Sequence, residues 1–471
     1  MATTNYKDCI LETLQSLRKY ALEKIRTNDQ AVGFYYHEED SYLMRFANSA
    51  ISLNTNERLI RLEIMAYDGR KRATYQMITH LDQLEEMKRG VDTAIELARH
   101  AQPLNYQPTI PVYPGSFSDE ECYEVELAEI SNEGRLAYFN QAAQGLETDQ
   151  VKLSGIFSNG STISAMIWTT SENYQYYRLS DAQITAVLAH AGQKWEVIAE
   201  ASAQRKSDLD AGKLKGELAT LVAQLKGETP FQISLGRYDI VFGPAAIAEM
   251  ARVMGYIGFN GGLMKRGYSF LSEAQIGQKV FSEQLTLNDD PMRRETFPIR
   301  RDDYGLPRGR FPVIEQGVFK AFIWTQDDAD EFNAKPTGHT VDHPSAVIAG
   351  GIQAGAASMQ ELAALPREKD LLYIPFLHYM NIVNPSKGVI TASSRFGTRL
   401  LRKDGSVGIP FNVRMTQSLL DVFGDRVAWL ASDTVAYNTS DSYGRRNPTV
   451  VIVPAFMRVN DLEISQSNAS Y

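Results

Sequence analysis

The chain has 471 residues, 44% of them hydrophobic and 22% charged, and a formal net charge of −9. That length exceeds what one hydrophobic core usually fills and predicts two or three domains, while the acidic balance argues against a nucleic-acid surface, which needs clustered Lys and Arg. No run of about 18 uncharged apolar residues exists to cross a membrane, and two cysteines, Cys9 and Cys122, are too few for a disulfide framework or a zinc knuckle.

The first residues, MATTNYKDCILETLQ, lack the charged and apolar regions of a signal peptide, so a reducing cytoplasm is the expected location. Ile10, Leu14, Leu17, Ala21 and Ile25 put an amphipathic helix over 7–26. The period then switches to two. Strands are expected at 31–36, at 42–46 and around Ile60, Leu62 and Ile64, with a hairpin turn at Asp68-Gly69. Asp82 and Glu85 resemble a capping pair ahead of a second helix, whose stripe is Leu84, Met87, Val91, Ala94, Ile95 and Ala98.

Residues 101–118, AQPLNYQPTIPVYPGSFS, carry four prolines and no charge, the composition of a semi-extended linker that packs poorly. Helical material follows over about 119–146, then two alternating runs meeting at a second hairpin signal, Asn159-Gly160. Further strand is expected over 168–179, and Leu214, Leu218, Leu221, Val222 and Leu225 mark a long helix that ends before Pro230. From Phe231 on, the chain is punctuated by glycine and rich in strand patterns. Hairpins are expected at Gln316-Gly317 and Asp404-Gly405, a short helix at 414–423 and a late apolar strand at 449–455. The expected fold is α+β, with N-terminal α/β units followed by a larger strand-rich C-terminal domain. Its divisions are 1–100, a linker at 101–118, a second α/β unit at 119–229, and 230–471.

The stretch YDIVFGPAAIAEMARVMGYIGFNGGLMKRGYSF (238–270) organises that last domain. A buried strand at 238–242 leads to Pro244, which suits the first turn of a helix because its missing N–H costs nothing there. Ile247, Met250, Ala251 and Met254 form one apolar stripe, and Gly255, Gly258, Gly261 and Gly262 end the helix and permit close backbone approach. The polar face of this helix offers Glu249 and Arg252, and no histidine.

The remaining chemistry is sparse. His37-Glu38 begins like a zincin motif, but Ser41 and Tyr42 stand where the second histidine is needed. His339 and His343 are spaced i, i+4, and a metal site using them with His378 is one reading; ordinary loop histidines are the other. Acidic neighbours raise the Cys122 thiol instead of activating it. Ser394 and Arg395 are candidate substrate-binding residues for a peptide carboxylate or backbone, with a structural turn as the alternative. No G-x-S-x-G elbow and no dinucleotide or P-loop glycine spacing occurs, and no catalytic residue is assigned.

Several stretches together resemble the TldD/PmbA family of two-subunit metalloproteases: RFANSAI (45–51), GYSFLSEAQIGQKVFSEQLTLNDDP (267–291), DDYGLPRGRFPVIEQGVFKAFIWT (302–325), PTGHT (336–340) and NPSKGVITASSRFGT (384–398). They span most of the chain in the family's order. In that family the TldD type carries H-E-x-x-x-H on the helix corresponding to 244–255, and a cysteine near the C-terminus completes its zinc site. This sequence has no histidine between His190 and His339 and no cysteine after Cys122; its C-terminal region offers Tyr443 and Arg445 instead.

The resemblance is therefore to the PmbA/TldE type, the subunit without its own zinc site. It implies no cofactor in this chain, zinc in a TldD-type partner, and a heterodimer cleaving unfolded peptides or leader peptides in an enclosed cleft. The other readings are a self-sufficient peptidase with a different metal site and a homodimeric binding or scaffold protein. The family's older label, modulator of DNA gyrase, gains no support from the acidic composition.

Overall fold

The computed structural model describes residues 5–225, 229–351, 355–356, 358–440 and 445–468. Three sheets organise them, of seven, six and nine strands. The first runs in the order Lys71–Thr79, Ala50–Asp68, Gln30–Ala47, Val151–Trp168, Tyr174–His190 and Phe117–Asp119, and Glu196–Ala203 also pairs with Tyr174–His190. Residues on both sides of the proline-rich segment thus share one sheet.

One face of this sheet is covered by two pairs of helices. Tyr6–Lys24 and Leu84–His100 bring Ile10, Leu14, Leu17, Met87 and Val91 onto Val32, Phe34, Leu62 and Ile64. Asn132–Ala143 and Ala211–Leu225 bring Phe139, Leu214 and Leu218 onto Met44, Phe157 and Leu188. Because side chains alternate along a strand, Tyr35, His37 and Glu39 point to the opposite face. There they meet the C-terminal domain through Arg445 and Arg446.

Several local expectations change. The strand expected in two pieces at 31–36 and 42–46 is continuous, Gln30–Ala47. Asn159-Gly160 is no turn but the middle of the strand Val151–Trp168. Buried Asn159 donates to the Leu127 and Ala128 carbonyls at 3.1 and 2.8 Å, and a Cβ on Gly160 would lie 2.0 Å from the Asp40 carbonyl oxygen. The pair is there for a close strand approach, not for a reversal. That strand stops at Trp168, and the next begins at Tyr174, so 168–179 is interrupted by a turn. The helix expected from Asp82 begins at Leu84 behind Gln83, with no side-chain cap. In 414–423 the alternately buried Val413–Ser418 is a strand, and only Leu419–Phe423 is helical.

The proline-rich segment packs better than its composition suggests. Tyr113 is buried with Tyr67 and Trp168, and its hydroxyl donates to the Asp303 carbonyl at 2.7 Å. Asp330 accepts from the Thr109 backbone and hydroxyl at 2.6 and 2.9 Å.

In the C-terminal domain, the strand Gly236–Phe242 lies parallel to Leu371–Ile374 and antiparallel to the last strand, Met457–Ser467. The helix Pro244–Phe259 follows at once, N-capped at Gly243 with proline in its first turn. Eleven of its sixteen residues are buried, which makes it a core helix. It sits where the six- and nine-stranded sheets meet, sharing one core with Val451 and Val453 on one side and Leu377, Ile390 and Met415 on the other. The helix continues through Gly255 and Gly258; close approach is required at Gly258, Gly261 and Gly262, where a Cβ would meet Phe270, Trp324 and Asp328. The hairpins at Asp68-Gly69, Gln316-Gly317 and Asp404-Gly405 form as expected, the glycines at φ +61°, +80° and +87°.

Candidate functional site in the cleft beside the central helix

The exposed face of the helix Pro244–Phe259 opens onto a cleft of about 400 Å³. Glu249 and Arg252 lie on its wall and close on each other: Nη2 donates to Oε1 at 2.9 Å and Nε to Oε2 at 3.2 Å. Opposite them stand His378 and Tyr379 of the strand Phe376–Asn384, Tyr437 of the strand Thr434–Asn438, and Arg445. Tyr379 takes φ +51° where the pairing of its strand is irregular, and its side chain is 70% exposed. Burial and the nearby Arg395 hold the His378 imidazole below its usual range.

Tyr437 faces two carboxylates. It is hydrogen-bonded to Glu200 of the strand Glu196–Ala203, and Glu249 lies beyond. Burial and these acidic groups push its phenol well above 10. Burial pushes Glu200 up to about 7, partly offset by hydrogen bonds from Tyr437 and Thr185, with Glu217 adding repulsion. The next residues along the same seam also meet across it, since Asn438 Nδ2 donates to the Ser202 hydroxyl at 3.1 Å.

His378 and Tyr379 also line a second compartment of about 580 Å³, walled by the N-terminal sheet and by the strand Val389–Arg395. The candidate substrate-binding residues both reach it, in different ways. They form no turn; they end that strand. Ser394 Oγ is buried and accepts from the Val413 backbone N–H at 3.0 Å, so it is spent on the fold. Arg395 lies over the Phe396 ring and donates through Nε to Glu196 at 3.1 Å.

The three histidines of the alternative metal site lie in different settings. His339 Nδ1 is bonded to Asp289, which also receives Arg308 Nη2 at 3.0 Å. His343 is buried, and burial and Arg308 bring its imidazole down to about 4. His378 lines the cleft. Among the described residues, no group of three or more His, Cys, Asp and Glu side chains is placed to hold a metal. Zinc does not fit the central helix, where Arg252 brings a positive charge and occupies both oxygens of the Glu249 carboxylate. Tyr443 lies outside the described residues, whereas Arg445 enters the cleft. Burial and Asp119 raise the Cys122 thiol, in line with its acidic surroundings.

Glu200, Glu196, Lys152 and Lys194 were not singled out from the sequence. The one signal was the alternation of Glu196, Ile198 and Glu200, which marks a strand face without saying what it meets.

Residues 235–466 match the family model of the PmbA/TldA metallopeptidase C-terminal domain. That match defines the class of this half: the chain carries a C-terminal domain of the PmbA/TldD family, and its overall fold is that of the solved structures it resembles. Among solved structures it is similar to TldE from Thermococcus kodakarensis, at 15% identity and a TM-score of 0.77 over 96% of this chain and 100% of that one. It is also similar to a putative modulator of a DNA gyrase from Thermotoga maritima (15%, TM-score 0.75, 97% and 100%). A third is a putative modulator of DNA gyrase from Bacteroides thetaiotaomicron (16%, 0.76, 98% and 99%). No curated protein matches the chain. No helix among the described residues is long and apolar enough to cross a membrane.

Proposed function

We propose that this chain is a PmbA/TldE-like subunit without zinc of its own, which acts with a TldD-type zinc subunit to cleave unfolded peptides or leader peptides. The observation that carries this reading is the Glu249–Arg252 ion pair on the cleft face of the central helix. That is the helix on which the TldD type carries H-E-x-x-x-H. A cation within hydrogen-bond reach of the only carboxylate on the helix Pro244–Phe259, which carries no histidine, opposes a divalent metal there.

The subunit then contributes to the cleft without contributing the metal. Its two compartments, about 400 and 580 Å³ and both lined by His378 and Tyr379, suit an extended chain better than a folded one. The test is to purify the chain, mix it with a TldD-type partner, and follow size-exclusion elution and cleavage of an unfolded substrate. Co-elution, with cleavage only when the partner is present, is expected. A stable homodimer that ignores the partner would contradict the proposal and favour the scaffold reading.

A further inference from the structure

The two compartments of the cleft differ in charge. Beside the central helix, Arg252 and Arg445 are set against Glu249 and Asp342. In the larger compartment Lys152, Lys194 and Arg395 are set against Glu196 alone, with His190 and His378 beside them. A cationic excess inside a concavity is notable on a chain whose net charge is −9.

The register of the N-terminal sheet explains how it is built. Lys152 lies directly across from Ala189, and Ala189 directly across from Glu196. Cross-strand partners share a face, so the three form one row. Val151 and Leu153, the neighbours of Lys152, turn the other way into the helix-covered core. With only the alanine methyl between them, Lys152 and Glu196 bound a notch two strand spacings wide, roughly 10 Å.

Arg395 closes the row from the C-terminal domain. Its Nε bond to Glu196 at 3.1 Å and its seat 4.6 Å over the Phe396 ring hold the guanidinium in place. That single bond leaves the two terminal nitrogens of the fork for another acceptor. Lys152 and Lys194 have no ion-pair partner among the described residues.

We infer that this compartment binds acidic side chains of an extended peptide, with carboxylates received between Lys152, Lys194 and the Arg395 fork. A planar fork held on one side suits bidentate binding of a carboxylate. Facing cations in a concavity repel one another until an anion enters, so the gain on binding is larger than on an open surface. The inference rests on the proposed peptide cleft and adds a preference to it: acidic segments over neutral ones.

The experiment compares a short fluorescein-labelled Gly/Ser peptide carrying Glu at alternate positions with the same peptide carrying Gln. Binding to the full chain is followed by fluorescence anisotropy at low and high salt. The Glu peptide is expected to bind about ten-fold tighter at low salt, the size of two or three partly exposed charge pairs. The advantage shrinks as salt screens it. It is lost in Lys152→Gln/Lys194→Gln, in which the Glu and Gln peptides are expected to bind alike. Equal binding of the two peptides, or an advantage that survives in the double variant, overturns the inference while the peptide cleft stands. Binding of neither peptide overturns both. A single-stranded oligonucleotide of matched length that binds more tightly than the Glu peptide also overturns it, in favour of a phosphate-backbone ligand.

Discussion

Arg446 closes on Asp181 from the far end of the chain: Nε donates to Oδ1 at 2.7 Å and Nη2 to the Asp181 carbonyl at 3.1 Å. Both side chains are buried, 8% and 6% exposed, and Nη1 also donates to Ser158 at 3.1 Å. The contact ties the C-terminal domain to the N-terminal sheet and sets the neighbouring Arg445 over the Tyr35 ring beside the cleft. Removing one member of a buried pair strands the other charge, at a cost of about 3–5 kcal/mol. Arg446→Ala is therefore expected to lower stability by that order in chemical denaturation. Arg446→Ala/Asp181→Ala should recover part of the loss. A double variant as unstable as the sum of the two single ones would show that the pair is not coupled.

Gly160 sits where two strands cross closely. A methyl group there would meet the Asp40 carbonyl oxygen at 2.0 Å and the Arg446 guanidinium at 3.2 Å. Gly160→Ala should break the pairing of Gln30–Ala47 with Val151–Trp168 locally and lower the melting temperature markedly. Gly216→Ala, where a Cβ meets nothing within 4 Å and the residue is helical, should leave it unchanged or raise it slightly. Equal behaviour of the two variants would contradict the assignment of Gly160 to a strand.

Stability should respond to pH in two opposed ways. Burial and nearby Arg445 bring the His37 imidazole down to about 3, and His343 lies at about 4 for the same kind of reason. An unfolded imidazole titrates near 6.5, so below that pH the unfolded chain binds more protons than the folded one. The stability these residues contribute is complete above about 6.5 and is lost as pH falls through their folded values. Glu200, at about 7 against an ordinary 4.5, has the opposite sign. Its contribution is complete below about 4.5 and is lost as pH rises through about 7. Melting temperatures of Glu200→Gln and the native chain should thus diverge in favour of the variant between pH 5 and 8. A constant difference across that range would contradict the burial of Glu200 as a protonated acid.

Tyr437 stabilises the ionised form of Glu200 by donating a hydrogen bond to it. In Tyr437→Phe the Glu200 carboxyl should titrate still higher than about 7, measured by carbon NMR of the labelled glutamate. An unchanged or lowered titration would place the phenol elsewhere.

The helices and most turns of the N-terminal half were legible because their signals are local. Ile10, Leu14 and Leu17 carry a helical stripe, and Asp68-Gly69 carries a turn. Asn159-Gly160 misled because the same dipeptide serves a tight turn or a close strand crossing, and only the neighbouring strand decides which. The two α/β units could not be seen as one sheet, since the pairing of Gln30–Ala47 with Val151–Trp168 bridges more than a hundred residues. The site was half legible. Glu249 and Arg252 could be placed on the polar face of one helix, though not as an ion pair, and Arg395 could be named as a candidate. Lys152 and Lys194 became part of the cleft, and Glu200 the partner of its Tyr437, only through long-range packing, to which local periodicity is blind.

The most direct test of the central claim is zinc analysis of the purified chain, alone and after exposure to zinc followed by dialysis. The account predicts no stoichiometric zinc in either sample, and no change in Glu249→Ala, where only a surface ion pair worth about 0.5 kcal/mol is lost. One zinc per chain, removed in His339→Ala/His343→Ala, would contradict it and make the chain a self-sufficient metal enzyme.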